Sequence, residues 1–129
     1  ARVLRTGGTF YATTVGEAHM RAMWRLLEPV VPDILARTGA VSQGFTLENG
    51  AALLRDVFEA VERRDYEDAL AITEVAPVLG YLDSSVTLMD VALTEGQWQA
   101  LADAIARRIE AEGVFRVQKA SGMFVARKG

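Results

Sequence analysis

His19 is the single histidine of the chain, and imidazole is the side chain whose ordinary pKa lies closest to neutrality. It follows a strand-like run, Thr9-Phe10-Tyr11-Ala12-Thr13-Thr14. Open α/β sheets bind ligands beyond the carboxyl ends of their strands, so His19 is a candidate general base or substrate contact. The other reading is a helix-face residue that hydrogen-bonds locally, and the spacing leaves both open. Thr14, at the same strand end, is a candidate substrate contact, although its spacing to Glu17 also suits a helix cap. Asp65, Glu67 and Asp68 cluster their carboxylates. Paired carboxylates can do acid–base work, but a solvated strand end is the simpler reading here. Tyr81, with Ser84 and Ser85, offers hydroxyls near a helix end. They can line a pocket, or Tyr81 can be a half-buried phenol with a satisfied hydroxyl.

Other chemistries lack their residues. The sequence has no Gly-rich phosphate loop, no paired nucleophile and base, and no metal-ligand spacing. Cysteine is absent, which excludes disulfides and thiolate catalysis and favours a cytoplasmic protein. One histidine excludes an imidazole-rich metal site. A net charge of −3 with scattered acidic residues implies no surface for nucleic acid. No apolar run is long enough to span a bilayer.

These residues must be positioned by an α/β fold. The 129 residues suit a single domain, 1–129, half hydrophobic and about a quarter charged. Residues 9–14 are β-branched and aromatic between glycines, which predicts a strand. Met20, Met23, Trp24 and Leu27 recur at helical spacing, so a helix is expected over about 15–28, capped by Thr14. Pro29 and Pro32 interrupt it, Ile34-Leu35 adds a further turn, and Thr38 to Gly44 read as a loop. Val57, Phe58 and Val61 predict a helix over 49–60, capped by Asn49. Val61 to Tyr66 and Leu70 to Thr73 are extended candidates; the charged patch between them implies a short or edge strand. Val75, Val78, Leu79 and Leu82 predict a helix over 74–85. Thr94 and Gln97 form a capping box before Trp98, Leu101, Ala102, Ile105 and Ile109, and Gly113 stops this helix of 95–112. Residues 114–127 read as a terminal hairpin turning at Lys119-Ala120-Ser121-Gly122. The methionines and both tryptophans, at helical spacing, read as core.

The run Arg2-Val3-Leu4-Arg5-Thr6-Gly7-Gly8-Thr9-Phe10 resembles a segment of class I S-adenosylmethionine-dependent methyltransferases. There a helix ends, a Leu-(Lys/Arg)-Pro-Gly-Gly turn follows, and the fifth strand of a seven-stranded sheet begins. Thr6 stands here where proline is usual. Phe10 to Met20 is similar to one bacterial subgroup of these enzymes. Phe45-Thr46-Leu47-Glu48-Asn49-Gly50, with Phe58 and Val61, resembles its next helix and sixth strand. Leu70 to Tyr81 with Ser84-Ser85, and Gly122-Met123-Phe124-Val125-Ala126-Arg127-Lys128, resemble its late helices and final strand.

The resemblance implies the C-terminal portion of a Rossmann-like methyltransferase sheet: a fifth strand, antiparallel sixth and seventh strands, and inserted helices forming a lid or substrate-side cap. The family's cofactor is held by an acidic Gly-rich loop that this sequence does not contain. No cofactor-binding residue is therefore carried over, and S-adenosylmethionine is expected on the whole enzyme but not on this chain. The expected role is substrate recognition toward a small-molecule methyl acceptor, with Thr14, His19 and Tyr81 as candidate substrate-binding residues and the catalytic residues unassigned. The alternative is a stand-alone, non-catalytic binding or dimerisation module. Arg2-Val3-Leu4 reads as the last turn of a helix, which suggests a piece of something longer. Strand 9–14 would then lack its fourth-strand neighbour, so it is expected to pair with a second copy or to be covered by the chain's own helices.

Overall fold

The computed structural model describes residues 1–42 and 44–129. Among these, the order is β1 (Thr9–Val15), α1 (Arg21–Leu27), α2 (Ile34–Ser42), α3 (Gly50–Arg55), β2 (Ala60–Ile72), α4 (Val75–Leu88), α5 (Glu95–Glu112) and β3 (Phe115–Arg127). The fold is α/β. Its three strands form an open antiparallel sheet in the order β1-β3-β2. The β1–β3 register pairs Thr9 with Arg127, Thr13 with Met123 and Val15 with Ser121.

The chain divides into two compact units, each with its own core. One comprises Ala1–His19, Ala36–Asp68 and Lys119–Gly129; the other comprises Met20–Leu35 and Ala69–Gln118. Strands β2 and β3 contribute residues to both.

In the second unit, α5 is built as its sequence dictates. Thr94 Oγ1 accepts from the Gln97 amide (3.2 Å), and Gln97 Oε1 accepts from the Thr94 amide (2.9 Å). This reciprocal pair satisfies two amides at the helix start that have no partner within the helix. Gly113, at φ 81°, closes the other end in the left-handed conformation. Leu101 and Ile105 are buried with Val78, Leu82 and Val86 of α4, Met23 and Leu27 of α1, and Phe115 and Val117 of β3. The Arg108 guanidinium lies 5.7 Å from the centroid of the Phe115 ring, within range of a cation–π contact.

In the first unit, Leu47, Leu54, Phe58, Phe124 and Ala126 are buried together. Phe45 meets the Phe124 ring edge-on at 5.5 Å, and Phe10 stacks on Phe58 at 5.6 Å. Asn49 holds the N-cap position of α3, as expected, but its side chain makes no capping bond to the helix. Asn49 Oδ1 instead accepts from the Thr46 amide, and Thr46 Oγ1 accepts from the Asn49 amide. The helix is also shorter than 49–60, because by Glu59 the backbone has joined the sheet, its amide donating to Arg127 O at 3.1 Å.

Several other sequence expectations give way to long-range pairing. Thr14 does not cap a helix. It stays in β1, its hydroxyl donates to Phe45 O at 2.7 Å, and α1 begins only at Arg21, after Met20 in a left-handed conformation. Thr38 to Ser42 lie in α2 rather than in a loop; Gln43, within the same expected loop, lies outside the described residues. Arg2 to Leu4 form a turn, not a helix end, with the Leu4 amide on Ala1 O.

The expected hairpin over 114–127 is instead one thirteen-residue strand. Gly122 marks a close approach rather than a turn: a Cβ there would lie 2.8 Å from Arg64 O and 2.8 Å from Leu47 Cδ2. The charged patch does not shorten β2 either. Arg63 holds Asp65 through two hydrogen bonds (2.6 and 3.1 Å), and Arg64 holds Glu62 likewise (2.9 and 3.1 Å). Residues two apart share a face of a strand, so the extended backbone brings these opposite charges together. As the sheet order shows, β2 is an edge.

Candidate functional site

The chemistry of the first unit gathers at the carboxyl end of β1. The Gly16 amide donates to Ala120 O (2.8 Å), closing the β1–β3 ladder, and the His19 amide donates to Gly16 O (3.0 Å). The tight turn brings the imidazole back onto β3, where the Ala120 amide donates to His19 Nδ1 at 3.1 Å. A neutral imidazole has one donor and one acceptor nitrogen. With Nδ1 accepting, the proton sits on Nε2. Burial, and then the Lys119 ammonium, hold the ring below its ordinary pKa. Neutral His19 therefore has no free lone pair for proton abstraction, and what it can offer a ligand is the Nε2 proton.

Lys119 reaches Asp68 at 2.7 Å, both half-buried. The three clustered carboxylates are thus not one acid–base group. Asp68 is paired with Lys119, while Asp65 is held by Arg63, whose hydrogen bond keeps its carboxyl below the usual range. Glu62 is lowered in the same way by its hydrogen bond to Arg64. Among the described residues, no three His, Asp or Glu side chains converge as a metal site, and no helix is long and apolar enough to cross a membrane.

Beside this cluster an open groove of about 660 Å³ lies over the sheet, lined by Thr13, Thr14 and Val15, by Arg64, Asp65 and Tyr66, and by Ser121, Gly122 and Met123. It takes three consecutive residues from each strand. Strand alternation puts Thr13 and Val15 on one face, and the register puts Met123 and Ser121 directly opposite them. The lining is mostly apolar, and its volume lies within the ordinary span of small-molecule sites.

The three candidate substrate residues divide between the units. Thr14 lines the groove, with its hydroxyl committed to Phe45 O. His19 stands at the end of the β1–β3 ladder. Tyr81 belongs to the second unit, where its ring lies tilted against Trp24 at 5.8 Å, and burial raises its phenol pKa. Ser85 there is buried and donates to Tyr81 O (2.8 Å), while Ser84 is exposed. Both tryptophans and Met89 are half-buried against the second unit's core, whereas Met123 lines the groove.

The sequence reading missed Thr13, Arg64, Tyr66, Ser121 and Met123. Each is ordinary in its own strand, and only the register across three strands brings them together. The usable signal was Gly122, a glycine inside a strand-like run, which marks close backbone approach. No family model matches the chain, and no curated protein matches it.

Proposed function

We propose that this chain is the C-terminal, substrate-side part of a class I S-adenosylmethionine-dependent methyltransferase. The observation that carries the reading is the position of the three strands. The Leu4-Arg5-Thr6-Gly7-Gly8 turn leads directly into β1, with Gly7 and Gly8 already bonded to Lys128 just beyond the end of β3. Strands β2 and β3 occur where the resemblance places the antiparallel sixth and seventh strands. The outer edge of β1, which no strand occupies among the described residues, is where a fourth strand of a larger sheet would pair.

In this reading S-adenosylmethionine belongs to the whole enzyme and is held by a Gly-rich loop outside this chain. Methyl transfer is an in-line displacement at the sulfonium carbon, and positioning supplies most of its acceleration. The chain's share is to hold a small-molecule acceptor at the carboxyl end of β1. There the groove offers apolar contact; His19, outside the groove lining but bonded to Ala120 next to Ser121, has its Nε2 proton for a hydrogen bond. The reading places the enzyme in the cytoplasm.

The encoding gene tests this. An in-frame upstream segment with a strand and an acidic Gly-rich loop is expected; a start codon immediately before Ala1 would refute the proposal. The free edge of β1 also favours a second reading, a stand-alone binding or dimerisation module, which that start codon would support.

A further inference from the structure

We infer that the groove over β1, β3 and β2 binds a planar aromatic small molecule bearing a hydroxyl or carbonyl oxygen. As a statement about the methyl acceptor, this rests on the methyltransferase reading; as a binding site, it stands without it.

Two residues of β1 and two of β3 meet across the groove. Thr13 faces Met123, and Val15 faces Ser121. The two apolar side chains therefore occupy one diagonal and the two hydroxyls the other, at about 7 Å as diagonal neighbours on a sheet. Neither hydroxyl has a protein partner among the described residues. A ligand lying flat across Val15 and Met123 would bring its oxygen within reach of Thr13 or Ser121.

The third strand says what kind of flat surface fits. Tyr66 is 67% exposed, so a large ring is held at the groove with most of its surface uncovered. Arg64 lies beside it, its guanidinium fixed by the two bonds to Glu62. A tyrosine ring, a methionine thioether and a guanidinium plane share one preference, contact with an aromatic ring.

Charge narrows the class further. Arg64 is neutralised by Glu62 and Asp65 by Arg63. The groove therefore carries paired charges with no net demand for an anion or a cation. A neutral aromatic alcohol or ketone suits it better than a phosphate or an amine.

The test is a titration of the full chain with 2-naphthol, and separately with its saturated counterpart decahydro-2-naphthol, followed through backbone amide resonances. The expected result is saturable binding of 2-naphthol with a dissociation constant of about 1 mM or tighter. Shifts should be confined to 13–15, 64–66 and 121–123, and the saturated alcohol should bind at least about fivefold more weakly. Tyr66→Ala, a change at an exposed position, should weaken 2-naphthol about fivefold. Thr13→Val with Ser121→Ala should weaken it about tenfold, with the spectrum otherwise unchanged. Equal affinity for the two alcohols, shifts centred elsewhere, or no saturation would overturn the inference. The titration contains no cofactor, so its failure leaves the methyltransferase reading standing. Conversely, S-adenosylmethionine binding to this chain would remove that reading and leave the groove.

Discussion

His19 shows how one hydrogen bond restricts a residue's chemistry. The Ala120 amide occupies Nδ1, and protonation would have to overcome both burial and the Lys119 ammonium. Because the folded pKa lies below the unfolded value, the unfolded chain binds more protons as pH falls. The contribution of His19 is therefore complete above its ordinary value of about 6.5 and is lost as pH drops from there through the lowered folded pKa. Urea unfolding between pH 7.5 and 5.5 should show this loss in the native chain. It should be smaller in His19→Asn, whose side-chain carbonyl keeps an acceptor for the Ala120 amide but does not titrate. An identical pH dependence in both would show that His19 is not the linked group. Gly122 is the other telling residue. An added Cβ meets the backbone oxygen of Arg64, which has no rotamer to yield with, so Gly122→Ala should lower stability by about 1–3 kcal/mol in the same unfolding experiment. The sequence named His19 as a candidate but said nothing of its tautomer, because the deciding donor lies 101 positions away.

At the scale of elements, local signals succeeded where a helix is specified by its own neighbours. Helix α5 begins and ends at the residues its caps dictate, and Thr94→Ala should cost about 1 kcal/mol of stability, read from the shift in urea midpoint. Local signals placed β1 but failed at several positions where pairing in the sheet decides. Thr14 and Glu17 have capping-box spacing, yet β1 continues through Thr14 because β3 and Phe45 offer it hydrogen bonds. Lys119 to Gly122 has turn composition, yet flanking strands keep it extended. The charged run of β2 read as a short or edge strand; it is an edge but not short, because its i, i+2 pairs neutralise each other once the strand exists. The edge of β1 carries its own prediction. Gly8 and Gly16 bond inward to β3, so the backbone groups of Thr9, Tyr11 and Thr13 point outward, and Val15 O is taken by the Leu47 amide at 3.2 Å. Among the described residues no strand pairs with this edge, and an edge open at three residues invites pairing with a second copy. Sedimentation should detect self-association of the chain. Tyr11→Pro, which removes an outward N–H and leaves the bonds between β1 and β3 in place, should abolish it without unfolding β1, whereas Tyr11→Ala, which removes only the ring, should not. Unchanged association in the proline variant would place the contact elsewhere.

For the whole molecule, the sequence conveyed an α/β class and where the chain is extended, but not that Ala60–Ile72 and Phe115–Arg127 each form one continuous strand, nor the division into two cores. That division depends on β2 and β3 each serving both units: Leu70 and Ile72 pack with the second, Val61 with the first. Nothing in the composition of a single strand announces such a double duty. The groove was hidden for the same reason, being assembled from three strands far apart in sequence. The proposed function divides the labour, with acceptor recognition in this chain and the cofactor outside it. The most direct test is calorimetric titration of S-adenosylmethionine into this 129-residue chain and, in parallel, into the product of the complete reading frame. Under the proposed function, micromolar binding to the complete product and none to this chain is expected. Binding to this chain by itself, or to neither, would contradict it.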